Sequence, residues 1–520
     1  MATPVSLDLL KSKLQEIHHV RDAAAVLSWD QETYMPPSSG TIRAEQLATL
    51  QTLAHNQLVS PEIESLLASF LDIETGTILP DQQTSLDEAS QALLRETWRD
   101  FSRARKLPSS FVNELERECS IAQQVWAEAR KTNDFHRFLP NLERLVGYKR
   151  QEADYLGYTD SPYNALLDTF EPGSTVAQLR PLFATLRTHL IRLLDQIRNS
   201  PVQPNTSLLT QSFDTSKQID FGRLVLKQMG YNFQRGRLDL STHPFTTSFH
   251  PTDVRVTTRV FDTDLPSCLF SCIHEGGHGL YEQGLSAEFY GTPLGEAISL
   301  GIHESQSRLW ENAVGRSRPF WQYFYPKLQE IFPAQLSAVS EDEFYLAINH
   351  VTPSLIRVEA DELTYNLHIM VRFEIELDVI EGRVQVEELP EVWNAKMQEY
   401  LGITPPNDAE GVLQDVHWSF GAFGYFPTYT LGNLYAAMLF HQAKKDIADL
   451  EQNISQGNFM SLKNWLNDRV HRWGRRYSAN ELIQRVTNQA LTPEPFIQDL
   501  EQKFGNLYQF PTAFSPETSP

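Results

Sequence analysis

Apolar residues along this chain recur mostly at intervals of three and four, the spacing of helices that bury one face. The pattern predicts an amphipathic helix within Met1–Val20 that continues to Leu27. The stretch Trp29-Asp30-Gln31-Glu32-Thr33-Tyr34-Met35-Pro36-Pro37 interrupts it, and helical spacing resumes near Thr41. Further helices are predicted over Ser85–Lys131, Phe138–Leu156, Leu294–Val314 and Ser354–Leu377. Glu114, Glu116, Arg117, Glu118 and Arg130 read as a solvated helix face. Ser161-Pro162-Tyr163 and the polar, proline-containing stretch 199–206 read as breaks, and Ser515–Pro520 as a frayed tail. The period changes between Gly236 and Thr263. There, Arg237–Phe245 and Asp253–Val260 alternate polar with apolar residues and predict strands. The expected fold class is mainly α: a large helical protein with a small β-sheet that feeds directly into the next helix.

That next helix contains His274-Glu275-Gly276-Gly277-His278. Histidines four residues apart on a helix project from one face, close enough to share a metal ion. The glutamate after the first histidine can take a proton from metal-bound water and pass it to a leaving amine. A third ligand is required. Tyr281 and Gly284 stand where the metzincin pattern needs glycine and histidine, which excludes that subclass. Glu282, Glu288, Glu296, Glu304 and Glu311 are downstream candidates. Glu282 lies one turn past His278 and would crowd it, leaving Glu296 and Glu304 in the foreground. Cys268 and Cys272 offer a rival metal set with His274, but His274 lies about 200° round the helix from Cys272, so the cysteines read as packing residues. The sheet edge beside this helix offers backbone groups to an extended peptide.

Composition narrows the setting. A chain of 520 residues can form two or three domains or one large helical enzyme. A net charge of −22 argues against nucleic-acid partners. No apolar run approaches a membrane span, the N-terminus has no signal-peptide core, and three cysteines make no disulfide framework, so a cytoplasmic setting is expected.

Two later stretches carry unusual chemistry. Leu355-Ile356-Arg357-Val358-Glu359-Ala360-Asp361-Glu362 puts an arginine in apolar company, where Glu359, Asp361 or another carboxylate could pair with it. Gly411-Val412-Leu413-Gln414-Asp415-Val416-His417-Trp418 gathers acceptor, donor and aromatic groups and leads to Tyr425 and Tyr429. With His243-Pro244-Phe245, Asp253-Val254-Arg255-Val256-Thr257, the His274–His278 motif and His303-Glu304-Ser305-Gln306, these motifs occur in the order of the thermostable (Taq-type) metallocarboxypeptidase family, which the chain resembles over nearly its whole length.

The resemblance implies a single catalytic domain over residues 1–520, built as two lobes about a deep groove, with one divalent metal per subunit and a homodimeric assembly. Zn2+ is the expected ion and Co2+ a substitute. It implies Glu304 as the third ligand beside His274 and His278, and Glu275 as general base. Single C-terminal residues would be released from peptides with broad specificity, sparing C-terminal proline. His417, Tyr425 or Tyr429 would stabilise the oxyanion. Arg357 would receive the terminal carboxylate, and His243, Asp253 and Arg255 would help close the groove, although Arg255 could instead serve Asp253 structurally. Two competing readings are a zinc oligopeptidase cutting internal bonds and a non-catalytic helical interaction protein.

Overall fold

The computed structural model describes residues 7–511, and the expectations for the first six residues and for Ser515–Pro520 lie outside that range. Helices dominate, with one three-stranded sheet. The chain divides into two compact units, each assembled from separate stretches of sequence.

The first unit comprises Met1–Lys106, Ser207–Phe344 and Leu439–Asn488. Its N-terminal helix runs Leu7–Thr33, reaching past the tryptophan that interrupts the apolar pattern. Tyr34 and Met35 amides then turn back onto the Asp30 carbonyl before the prolines. Arg43, from the following helix Gly40–Leu58, donates to Asp30 at 2.7 Å. Leu10, Leu14 and Ile17 pack with Ala54, Leu58, Leu67 and Leu94 in one apolar cluster.

The sheet lies where the period changed. Strands β1 (Gly236–Leu240), β2 (Thr246–His250) and β3 (Asp253–Thr258) are ordered β1-β3-β2, with β1 parallel and β2 antiparallel to β3. Val254 and Val256 of β3 are fully buried, so the central strand supplies the packed surface. The helix that follows, Leu265–Gly284, starts on an Asp264 cap that accepts from the Ser267 amide, with Pro266 in its first turn.

The continuous helix expected over Leu294–Val314 is not formed. Pro293–Gly295 is a single 3-10 turn, and the helix begins at Leu300 because the Ser299 side chain caps the Ile302 amide. It runs to Arg308 and widens into a π-helix over Leu309–Gly315.

The second unit comprises Leu107–Thr206, Tyr345–Met438 and Gln489–Pro520. Its helices Ser109–Thr132 and Phe135–Leu156 pair along their length. Glu118 departs from the expected solvated face: it is buried, accepts from Asn141 at 2.8 Å and pairs with Arg144 at 3.0 Å. The helix expected from Ser354 begins only at Thr364 and runs to Ile380. Asp361 accepts from the Leu363 and Thr364 amides at 3.0 and 2.9 Å, a side-chain cap that starts the helix later than its apolar period suggests. Arg357 therefore sits in a 3-10 turn, Arg357–Glu359, rather than within a helix. The Thr364–Ile380 helix is buried nearly all round.

Candidate metal centre

His274 and His278 lie on one face of the Leu265–Gly284 helix, their rings 4.9 Å apart. From the Leu300–Arg308 helix, Glu304 brings Oε2 to 3.6 Å from His274 Nε2 and 3.4 Å from His278 Nε2. One donor atom from each of the three lies within 4.8 Å of the others. Tetrahedral coordination with bonds near 2.0–2.1 Å separates its ligand atoms by about 3.3–3.4 Å, so the carboxylate–imidazole spacings suit a shared divalent ion. Two nitrogens and one oxygen are also the donors of a catalytic rather than a closed structural site.

The helices approach this closely because Gly277 has no side chain. A Cβ there would lie 2.5 Å from the Gln306 carbonyl oxygen and 2.6 Å from Ser307 Cα. Gly276 instead faces the Leu226 side chain, and Gly279 the side chains of Tyr231 and Val256.

Glu304 is clamped. Arg308 Nε donates to its Oε1 at 2.6 Å and Ser307 Oγ to its Oε2 at 3.1 Å. Burial opposes its ionisation, yet Arg308 and the two histidines outweigh burial and hold it well below the usual carboxylate range. Glu311, in the π-helix, lies 2.8 Å from His274 Nδ1 and 3.3 and 3.4 Å from guanidinium nitrogens of Arg308 and Arg316. Burial again opposes and Arg308 leads the opposing effects, bringing Glu311 down to about 2.

Glu275 behaves differently. It is 6% exposed, and Thr246 of edge strand β2 donates to its Oε2 at 2.7 Å. Burial pushes its carboxyl above the usual value, with His274 and Thr246 pulling the other way. The edge of the sheet thus touches the metal-motif helix at the glutamate. The other ligand candidates are engaged elsewhere: Glu282 meets His303 at 2.8 Å, Glu296 accepts from Arg475 at 3.1 Å, and Glu288 is exposed. Cys268 and Cys272 are buried, unbridged packing residues.

In the second unit, Arg357 is 5% exposed, and its Nε and a terminal nitrogen donate to Asp415 Oδ1 at 2.9 and 2.8 Å. Its other terminal nitrogen donates to the Tyr365 hydroxyl at 3.1 Å, and the Tyr429 ring stands 5.1 Å from the guanidinium. The partner is Asp415, from the other motif, and not Glu359 or Asp361. Arg372 donates to Asp415 Oδ2 at 2.6 Å and to Gln414 Oε1 at 2.7 Å, so two arginines share one aspartate. Burial, then Arg357, bring the His417 imidazole down to about 3. Its Nε2 lies 3.4 Å from the Tyr429 hydroxyl, and the Tyr425 ring stands 5.3 Å away.

The "Carboxypeptidase Taq (M32) metallopeptidase" family model matches residues 9–504. Thermostable carboxypeptidase 1 of Thermus thermophilus is 42% identical over 503 residues, covering 95% of this chain and 97% of its own. Carboxypeptidase 1 of Bacillus subtilis is 41% identical over 495 residues, with the same coverage. The chain belongs to this M32 family. The crystal structure of the M32 carboxypeptidase from Deinococcus radiodurans superposes with a TM-score of 0.92 at 39% identity, covering 96% of this chain and 99% of that one. This M32 protein is accordingly a metallocarboxypeptidase, and membership implies a divalent metal.

Of the residues expected at the M32 site, His274, Glu275, His278 and Glu304 converge in the first unit, and Arg357, His417, Tyr425 and Tyr429 converge in the second. Asp253 and Arg255 form their own pair at 2.9 Å, with Arg255 over the Trp29 ring at 4.3 Å. His243 is exposed, and its carbonyl accepts from Ser241 Oγ. Arg308, Arg316 and Thr246 were not anticipated. Arg308 and Glu311 follow Glu304 by four and seven residues, which puts them on its helix face and makes them findable in principle. Thr246 leaves no such trace, because a strand-to-helix contact has no fixed spacing. No helix among the described residues is long and apolar enough to cross a membrane.

Proposed function

We propose that this metallocarboxypeptidase releases single amino acids from the free C-terminus of peptides with broad specificity, using one ion held by His274, His278 and Glu304, and that it spares C-terminal proline. Zn2+ suits the two-nitrogen, one-oxygen donor set, with Co2+ as a substitute. The observation that carries the reading is the convergence of these three donors beside Glu275, a buried carboxyl raised above its usual value. The bound ion supplies Lewis acidity toward water and the scissile carbonyl.

The protein's own groups do the rest. Glu275 accepts the proton of the attacking water and returns it to the departing amine, and its raised proton affinity makes it the stronger base. Thr246 fixes one of its oxygens, so the carboxylate keeps one orientation through both transfers. Edge strand β2 pairs with the extended peptide backbone. Arg357 binds the terminal carboxylate, and its sharing of Asp415 with Arg372 leaves a buried positive charge for that purpose. His417, neutral across the working range, with Tyr425 and Tyr429 supplies donors to the oxyanion. We read residues 1–520 as a single catalytic domain, in a homodimeric cytoplasmic enzyme.

A matched pair of substrates tests the reading: a blocked dipeptide with a free carboxylate and its C-terminal amide. Metal-dependent cleavage of the acid with little of the amide is expected. Equal rates on both would remove Arg357 from its assigned role, and release of internal fragments from longer peptides would overturn the exopeptidase assignment.

A further inference from the structure

The two histidines of the metal cluster meet different partners on the side away from Glu304. His274 Nδ1 faces the Glu311 carboxylate directly. His278 Nδ1 instead lies 2.5 Å from Nδ1 of His303, whose Nε2 lies 2.8 Å from Glu282 Oε1. His303 immediately precedes Glu304, and its ring centroid stands 4.5 Å from that of His278 and 5.3 Å from that of Tyr281.

Proton counting gives this row a direction. An ionised carboxylate only accepts, and a neutral imidazole carries one N–H. With Glu282 ionised and His303 neutral, the contact places the His303 proton on Nε2, which leaves its Nδ1 bare. A bare Nδ1 facing His278 Nδ1 at hydrogen-bond distance requires the His278 proton there. The His278 lone pair is then on Nε2, the atom 3.4 Å from Glu304 Oε2.

We infer that His303, anchored by Glu282, is a positioning residue that holds His278 with its Nε2 lone pair directed at the metal. This rests on His278 being a ligand. The row does for His278, through an interposed ring, what Glu311 does for His274 by contact. Hydrogen-bonded partners behind metal-ligating histidines fix the ring and its tautomer, and their loss typically weakens metal binding.

The test is Zn2+ affinity of the full-length chain, stripped of metal and titrated against a competing chromophoric chelator. H303F, which keeps a ring but accepts nothing, should weaken Zn2+ binding by about 10- to 100-fold. H303N, whose side-chain carbonyl can accept from His278 Nδ1, should recover most of the loss. E282Q should fall between H303F and wild type, because its amide can donate to His303 and reverse the row. Wild-type affinity in H303F, or H303N as weak as H303F, would overturn the proposal, the latter by assigning the effect to ring packing. If H303F does not fold, E282Q decides, and wild-type affinity there overturns it. H278A tests the underlying ligand reading separately: unchanged affinity in H278A removes that reading and the proposal with it, whereas loss in H278A with no change in H303F removes the positioning role alone.

Discussion

Around His274, the carboxyl groups of Glu275, Glu304 and Glu311 stand with two guanidiniums, Arg308 and Arg316, that pair with Glu304 and Glu311. Around Arg357, two guanidiniums meet the single carboxylate of Asp415. The first cluster is short of positive charge and the second short of negative charge. Buried charge is stable only when compensated. Each imbalance thus matches one ligand of the proposed reaction, a divalent cation for the first and a substrate carboxylate for the second. The clusters also differ in how their histidines are prepared. His278 and His417 are both held neutral, at about 3, but His278 turns Nε2 toward the Glu304 carboxylate and His417 stands among aromatic rings.

The sharpest way to break this contrast is at Glu275. E275Q should lower turnover by about 10²- to 10⁴-fold while leaving metal content at wild-type level, measured by hydrolysis of a blocked dipeptide alongside elemental analysis. Metal loss in E275Q would mean that its carboxylate belongs to the ion-holding set.

At the other cluster, R357M should lower kcat/KM for the free-acid dipeptide by about 10²-fold and bring it toward the amide substrate. An undiminished preference for the acid would place the carboxylate-binding charge elsewhere.

A smaller effect concerns Glu376, buried in the Thr364–Ile380 helix. It accepts from Tyr163 at 2.7 Å, Trp418 at 2.8 Å and the Gly424 amide at 3.0 Å. Burial pushes it up to about 7 against these donors and the attraction of Arg372. Below that value it is neutral and the arginine pair keeps its excess charge; above it, ionisation adds the second carboxylate that the cluster lacks. KM for free-acid substrates should therefore rise, by about 2- to 5-fold, as pH increases through neutrality. E376Q should flatten the rise, and a profile identical to wild type would uncouple Glu376 from the arginines.

The smallest effect is expected at Asp253, whose side chain is 43% exposed opposite Arg255. D253N should change stability by no more than about 1 kcal/mol in chemical denaturation, because Arg255 keeps its stacking on Trp29.

Much of this was legible in the sequence. Helical period, the change to strands near Gly236, and the four-residue spacing of the histidines each reflect local geometry, and the structure contains them. Where a helix begins was less legible, because a side-chain cap can override the period. Ser299 and Asp361 both shorten the expected helix at its N-terminal end, and in the second case the cap leaves Arg357 outside it. The ion pairs were least legible. Arg357 meets Asp415 from 58 positions away, and no reading of neighbours could choose Asp415 over Glu359.

Gly277 of the His274 motif makes room for the backbone of the Glu304 helix at Gln306 and Ser307. Backbone against backbone is a hard stop, with no rotamer to yield. In the proposed metal site the width of the cage would therefore be set by the fold rather than by the ion, so it should discriminate by ionic radius. A shorter side chain at position 304 could not be rescued by the helices moving inward, and a larger residue at 277 would widen the cage without altering any donor.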